Sequence, residues 1–186
     1  LFTSYGLLRI DITNNKSVVS YGNKKGTQKF KNFQISTVYK DKHDILWIAH
    51  NDGLNIWDPK KDTIYYFNKS NGLCENSVSG IVEDNQNNIW VTTTNGLSIL
   101  TVNYDKDDKL SISSKNYSVR DGLLDNYFNK HSILQLRNGD ILLGNLDGYT
   151  IINPNKLLKE NKPVSKIIFT GLTLGNQDIK VDSLYN

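Results

Sequence analysis

Methionine is absent from the 186 residues, cysteine and alanine occur once each (Cys74, Ala49), and glutamate and proline three times each. One thiol excludes an internal disulfide framework and any cysteine-based zinc cage, so cysteine usage does not report the compartment. With so little Ala, Glu and Met, there is little from which to build helices. The longest uninterrupted apolar run, Ile45 to Ala49, is too short to cross a bilayer or to form the core of a secretory signal. Charge of one sign is not concentrated either. The net charge is +3 and like charges run no longer than pairs, as at Lys24-Lys25 and Lys60-Lys61. No basic stripe is present for a phosphate backbone, which argues against nucleic acid as a partner. The chain starts at Leu1 and reads as an excerpt of a longer protein.

What the sequence does contain is asparagine, 24 residues of it, together with aromatic and β-branched residues in short runs broken by Asn, Asp and Gly. That is the pattern of strands and tight turns. The runs repeat. Residues 35–57 laid over 78–100, 43 positions on, pair Ser36 with Ser79, Asp41 with Asp84, Trp47 with Trp90, Gly53 with Gly96, Leu54 with Leu97 and Ile56 with Ile99. A third copy lies a further 52 positions on, with Ile133 under Ile81, Ile141-Leu142-Leu143 under Ile89-Trp90-Val91, and Gly148 under Gly96. Its extra residues fall in the polar stretch Asn103 to Ser111, which reads as a lengthened loop. A partial copy opens the chain, where Tyr5 to Ile10 resembles the stretch from Asp52 through Ile56, with Gly6-Leu7 over Gly53-Leu54.

Each copy resolves into four short strands, for example about 35–40, 45–50, 53–58 and 63–68. Asp41 to Asp44 and Asn85 to Asn88 form hairpin tips, and Asn51-Asp52-Gly53 and Asn95-Gly96 supply the positive-φ positions of tight turns. A unit of about 43 residues with four antiparallel strands has the size of a β-propeller blade, a sheet that must stack on neighbours to hide both faces. Trp47, Trp90, Gly53, Gly96 and Gly148 are the structural marks of the repeat, the tryptophans packing between blades. An antiparallel sandwich explains the strands but not this spacing. The expected fold is all-β: three blades and part of a fourth, an incomplete ring.

The repeated form Val78 to Asp84, Ile89-Trp90-Val91, Asn95 to Ile99 resembles the two-component regulator propeller repeats of the extracytoplasmic sensor regions of bacterial hybrid histidine kinases. The turn Trp57-Asp58-Pro59 followed by Tyr65-Tyr66-Phe67 is similar, and Asp121 to Asn129, Asn138 to Gly144, Asp147 to Tyr149 and Ile152 to Pro154 resemble the closing blade of such propellers. The resemblance implies blades over residues 1–157, then, over 158–186, a linker and the first strands of an immunoglobulin-like β-sandwich. Residues 155–162 read as a charged linker, and residues 164–175 alternatively complete the last blade. It further implies a periplasmic portion of an inner-membrane protein, non-catalytic in itself, that detects a glycan-derived oligosaccharide and regulates transcription of polysaccharide-utilisation genes. Its partners are then that oligosaccharide, the remaining blades of the same protein and, because an open ring exposes sheet faces and strand edges, a second copy in a homodimer.

The catalytic inventory is thin. His43, His50 and His131 are far apart, with no spacing suited to zinc, and no nucleophile elbow or phosphate loop is present. No cofactor or metal is expected. Asp52, Asp121, Asp125 and Asp147 lie in turns that a polysaccharide lyase or glycoside hydrolase could use, a second reading beside that of a sensor; a protein-binding scaffold is a third. Binding chemistry is richer. Asn71-Gly72-Leu73 and Asp121-Gly122-Leu123 recur 50 residues apart, each with an asparagine four residues after its glycine, Asn76 and Asn126. These stretches join one blade to the next, and such connections gather at one mouth of a propeller. The candidate ligand contacts are therefore Asn71, Asn76, Asp121 and Asn126, with Tyr127, Phe128 or Trp57 stacking on a sugar face.

Overall fold

A computed structural model describes residues 2–3, 6–11, 16–22, 30, 34–104, 106, 110–159, 172–174 and 177–179. The chain divides into two compact units, Leu1–Pro154 and Asn155–Asn186. The first is a stack of antiparallel sheets, one for each copy of the repeat. Blade 1 has strands β1 (Phe2–Thr3), β2 (Gly6–Asp11) and β3 (Lys16–Gly22) in that order. Blade 2 has β4 (Ile35–Lys40), β5 (Leu46–His50), β6 (Gly53–Asp58) and β7 (Thr63–Phe67), also in sequential order. Blade 3 repeats this with β8 (Val78–Glu83), β9 (Asn88–Thr93), β10 (Gly96–Tyr104) and β11 (Leu110–Tyr117). The strands expected in blade 2 and the propeller-type stacking are both observed. Much of the length added after Asn103 goes into longer outer strands, since Tyr104 still pairs with Leu110.

Blade 4 departs from the four-strand expectation. It holds three described strands, β12 (Phe128–Gln135), β13 (Ile141–Asn145) and β14 (Gly148–Ile152), and β14 has no outer neighbour among the described residues. The stretch expected to be a charged linker opens instead as a short helix, α1 (Pro154–Lys159). Proline at the first helical position costs no hydrogen bond there and its φ is already helical. Strands β15 (Leu172–Leu174) and β16 (Gln177–Ile179) pair with each other. Residues 160–171, which bear on whether the last blade is completed, lie outside the described residues.

The turns explain why each repeat folds alike. Asp41 Oδ1 accepts hydrogen bonds from the backbone N–H of His43 and Ile45, both at 2.9 Å, and its Oδ2 accepts from Trp47 Nε1 at 2.8 Å. Asp84 does the same for Gln86 N, Asn88 N and Trp90 Nε1. One carboxylate thus closes the first hairpin of a blade and anchors the tryptophan of its second strand, which satisfies every polar atom that burial of the indole would otherwise leave bare. The left-handed residue of this hairpin is Asp44, Asn87 or Gly139, with φ of 69°, 69° and 89°, residue types that tolerate that region. Gly53 closes the next turn at φ 114°, where a Cβ would lie 2.4 Å from Phe67 O.

Packing runs from blade to blade. Trp47, Leu54 and Ile56 of blade 2 share one buried cluster with Ile81, Ile89, Val91 and Leu100 of blade 3. Trp57, Ile35 and Ile48, on the other face of blade 2, pack with Phe30. The first strand of blade 3, β8, lies beside the first strands of both neighbours, β4 and β12, so the sheets converge on that side. Gly80 marks a close approach of blade 3 to blade 4: a Cβ there would meet Ile133 Cγ2 at 2.6 Å.

Candidate functional site

The connectors between blades, residues 68–77 and 118–127, are built to one plan. Each contains a single 3-10 turn, Lys69–Asn71 or Val119–Asp121, with Asn68 or Ser118 as its N-cap and a full capping box. In the first, Asn71 Oδ1 accepts from Asn68 N and Asn76 Oδ1 accepts from Lys69 N at 2.8 Å. In the second, Asp121 Oδ2 accepts from Ser118 N at 3.0 Å and Asn126 Oδ1 accepts from Val119 N at 2.8 Å. The four polar residues singled out in the sequence therefore cap and brace their own loops, because a turn this short leaves N–H groups that only nearby side chains reach. Gly72 and Gly122 follow the turn at φ of 127° and 99°, a conformation that L residues rarely adopt.

The two connectors meet the second turn of each blade at one end of the stack. Asn76 Nδ2 reaches Asp52 Oδ1 in blade 2 at 3.5 Å. Gly96 N donates to Asn126 O at 2.7 Å, and a Cβ on Gly96 would lie 3.5 Å from Cys74 Sγ. Asn76, Asn126 and the turns at Asp52 and Asn95 thus line the same end. Tyr127 is there too and is 44% exposed, whereas the neighbouring Phe128 is buried in the core. Trp57 lies elsewhere. It pairs with Ile64 near the opposite end of blade 2, is buried edge-on against Phe30, and directs Nε1 to Asp62 Oδ1 at 3.4 Å. Of the three aromatics named from sequence, Tyr127 alone presents a ring to solvent at the connector end.

Concavities lie between blades 2 and 3, and two of them are large enough to matter. One of about 340 Å3 opens at the hairpin end and is lined by Asp41, Asp58, Lys60 and Glu83 among others. Its carboxylates already serve the backbone: Asp58 Oδ1 accepts from Lys60 N at 2.8 Å and Glu83 Oε2 from Lys42 N at 2.9 Å. The other, of about 230 Å3, lies between outer strands and is lined by Tyr65, Tyr66, Phe67, Asn71, Leu110 and Ile112. Tyr66 stacks on His50 with ring planes 3° apart and donates its hydroxyl to Asp52 O; burial raises its pKa above the usual tyrosine value, with the hydrogen bond to Asp52 adding to the effect. The residues were visible in the sequence as an aromatic pair on an outer strand. What faces them across the groove is set by blade packing, which the sequence pattern did not show. No group of three or more His, Cys, Asp or Glu suited to a metal ion occurs among the described residues.

Comparison with known proteins follows the same lines. Residues 72–95 match the model of the two-component regulator propeller. The chain is 26% identical over 114 residues to Histidine kinase P4 of Formosa agariphila, a match that takes in 60% of this chain and 8% of that protein. Among solved structures it resembles the extracellular domain of the hybrid two component system BT3049 from B. thetaiotaomicron, with TM-score 0.62, 22% identity, and coverage of 78% of this chain and 18% of that one. It likewise resembles the extracellular domain of BT4673 from B. thetaiotaomicron, with TM-score 0.63, 24% identity, and coverage of 83% and 22%. The chain therefore spans about a fifth of the solved chains it matches and less than a tenth of the histidine kinase. Residues 72–95 thus carry a two-component regulator propeller match, and the chain resembles in fold the extracellular domains of such two-component systems.

Proposed function

We propose that this chain is a non-catalytic part of the periplasmic sensing region of a hybrid two-component histidine kinase held in the inner membrane. It takes part in detecting a glycan-derived oligosaccharide, and the signal regulates transcription of polysaccharide-utilisation genes. Residues 1–157 are the C-terminal blades of the propeller, and 158–186 are the linker and start of an immunoglobulin-like sandwich. The remaining blades of the same protein complete the stack, and a second copy forms the homodimer through which the signal passes.

The observation that carries this reading is the match of residues 72–95 to the two-component regulator propeller, set in a stack of sheets of that architecture. The connector end is the proposed binding surface, with Asn71, Asn76, Asp121 and Asn126 holding the loops in shape and Tyr127 offering a ring to a sugar face. Trp57 and Phe128, which are buried, pack within the blades and take no part in that surface. Ligand changes the balance between two arrangements of blades or subunits only by as much as it prefers one of them.

The test is calorimetry of the complete extracytoplasmic region against a panel of oligosaccharides, followed by transcription of polysaccharide-utilisation genes in the host. Binding that falls on Tyr127→Ala, with transcription falling in parallel, supports the reading. Turnover of a polysaccharide that disappears on Asp121→Asn replaces it with an enzyme.

A further inference from the structure

The first strand of blade 4 differs from its counterparts. In β4 and β8 the ladder skips a single residue: Ile35 pairs with His50 and Thr37 with Ala49, and Val78 pairs with Thr93 and Gly80 with Thr92. In β12, Phe128 pairs with Asn145 and the next pair is Ile133 with Leu143, so residues 129–132 stand opposite Gly144 alone. The sequence agrees: the connector motif recurs after 50 residues but the following hairpin after 52, so two residues are added in this bulge.

Two further observations show that the bulge is specified by the sequence. His131 sits at φ +60°, a conformation that costs a non-glycine residue about 1 kcal/mol or more. Gly144 replaces the Ala49 and Thr92 of blades 2 and 3, and a Cβ on it would lie 2.8 Å from Ser132 Cβ. The partner strand has thus given up a side chain to admit the bulge. Bulges of this kind re-aim side chains beside functional sites, and a strained residue that persists motivates a functional hypothesis.

The bulge lies on the side where the sheets converge and directly follows the connector. It exposes Lys130 and His131, and neither is engaged in an ion pair among the described residues. The carboxylates of the adjoining connector are already engaged, Asp121 with Ser118 N and Asp125 with Tyr127 N. We infer that residues 129–132 form a ligand-contact bulge in which Lys130 and His131 hold an anionic group, carboxylate or sulfate, carried by a saccharide. This rests on the saccharide reading above and narrows it from glycans in general to acidic ones. Nitrogen donors on two successive residues of an exposed bulge suit oxyanions, which accept charge-assisted hydrogen bonds more strongly than neutral hydroxyls do.

The experiment is calorimetry of the full chain against tetragalacturonate, which carries carboxylates, a κ-carrageenan tetrasaccharide, which carries sulfates, and neutral maltotetraose. An acidic probe is expected to bind, its identity naming the anionic group, and Lys130→Ala and His131→Gly are each expected to weaken it about ten-fold or more. Glycine accepts φ +60° without strain, so His131→Gly keeps or raises Tm while losing affinity. Unchanged affinity in both variants, binding of maltotetraose alone, or a fall in Tm that accompanies the lost affinity overturns the inference and leaves the saccharide reading standing. Failure of all three probes to bind overturns the inference and counts against that reading as well.

Discussion

In blade 3, Val82, Trp90, Leu97 and Ile99 lie on one face of the sheet and are buried. Their counterparts in blade 4 lie on the same face in the same register, yet Leu134 is 57% exposed, Tyr149 67% and Ile151 51%. The residue types are equally apolar; the difference is that blade 3 has a sheet beside it and this face of blade 4 has none among the described residues. In a stacked repeat, burial belongs to the interface between neighbours, so an end unit shows its core to solvent. The connectors show the same contrast. Gly72 O in the first accepts from Ser114 Oγ at 2.8 Å and Asn116 Nδ2 at 3.0 Å on the outermost strand of blade 3. The second connector leads into a blade with no described fourth strand, and a Cβ on Gly122 would meet nothing within 4 Å.

The largest expected effect comes from emptying the enclosed side. Trp90→Ala should destabilise the protein by about 3–5 kcal/mol, since a fully buried indole leaves a cavity and orphans Asp84, whereas Ile151→Ala on the open face should cost less than about 1 kcal/mol. Urea unfolding measures both, and equal losses would break the comparison. Next comes the hairpin anchor. Asp84→Ala leaves the indole N–H and two backbone N–H groups without their acceptor and should cost about 1–3 kcal/mol; Asp140→Ala, in the blade 4 hairpin where Asp140 accepts from Asn138 Nδ2 at 2.9 Å and Asn153 Nδ2 at 2.6 Å and no Asp–Trp bond forms, should cost less, about 1 kcal/mol, by the same measurement.

A change of state is expected from the open face itself. Contiguous exposed apolar surface drives association, so Leu134→Lys together with Ile151→Lys should lower the average mass seen by light scattering at high concentration. An unchanged mass assigns any homodimer to another surface. The smallest effect concerns the connectors. Lys69 Nζ holds Glu75 Oε2 at 2.9 Å, and this hydrogen bond, helped by Asn76 N–H, keeps the Glu75 carboxyl below its usual pKa. The pair has no counterpart in the second connector, where Val119 and Asp125 stand at these positions. Because the folded pKa is depressed, the contribution is present at neutral pH and fades as pH falls below the ordinary carboxylate range through the lowered value. Lys69→Gln should raise the Glu75 midpoint in a carboxyl NMR titration while stability at neutral pH changes by well under about 1 kcal/mol, as for other exposed ion pairs.

Much of the blade was legible because its signals are local. The period of the tryptophans, the alternation within strands, and the glycine of each second turn all act within a few residues, and the observed β4 to β7 follow them closely. The Asp41–Trp47 and Asp84–Trp90 pairs were visible as repeated letters, though not as hydrogen bonds. Other repeats are equally local. Asn71, Asn76, Asp121 and Asn126 recur in step with the 3-10 turns that they cap and brace, a role the letters did not show. Trp57 reads as an exposed aromatic beside a proline turn and is buried, because Phe30, 27 positions earlier, packs across it.

By itself the sequence determined the unit: where strands begin and end, which residue of each hairpin takes a left-handed conformation, and which face of a strand is apolar. These follow from backbone sterics, turn chemistry and a two-residue alternation, all read over short spans. Tertiary structure alone decided which apolar faces are covered, that the concavities lie between blades 2 and 3, and that the two residues added before Ile133 become a bulge on the converging side. Those outcomes depend on sheets meeting across more than 40 residues of chain, where the energy is that of two surfaces fitting together, and one surface alone does not specify the other.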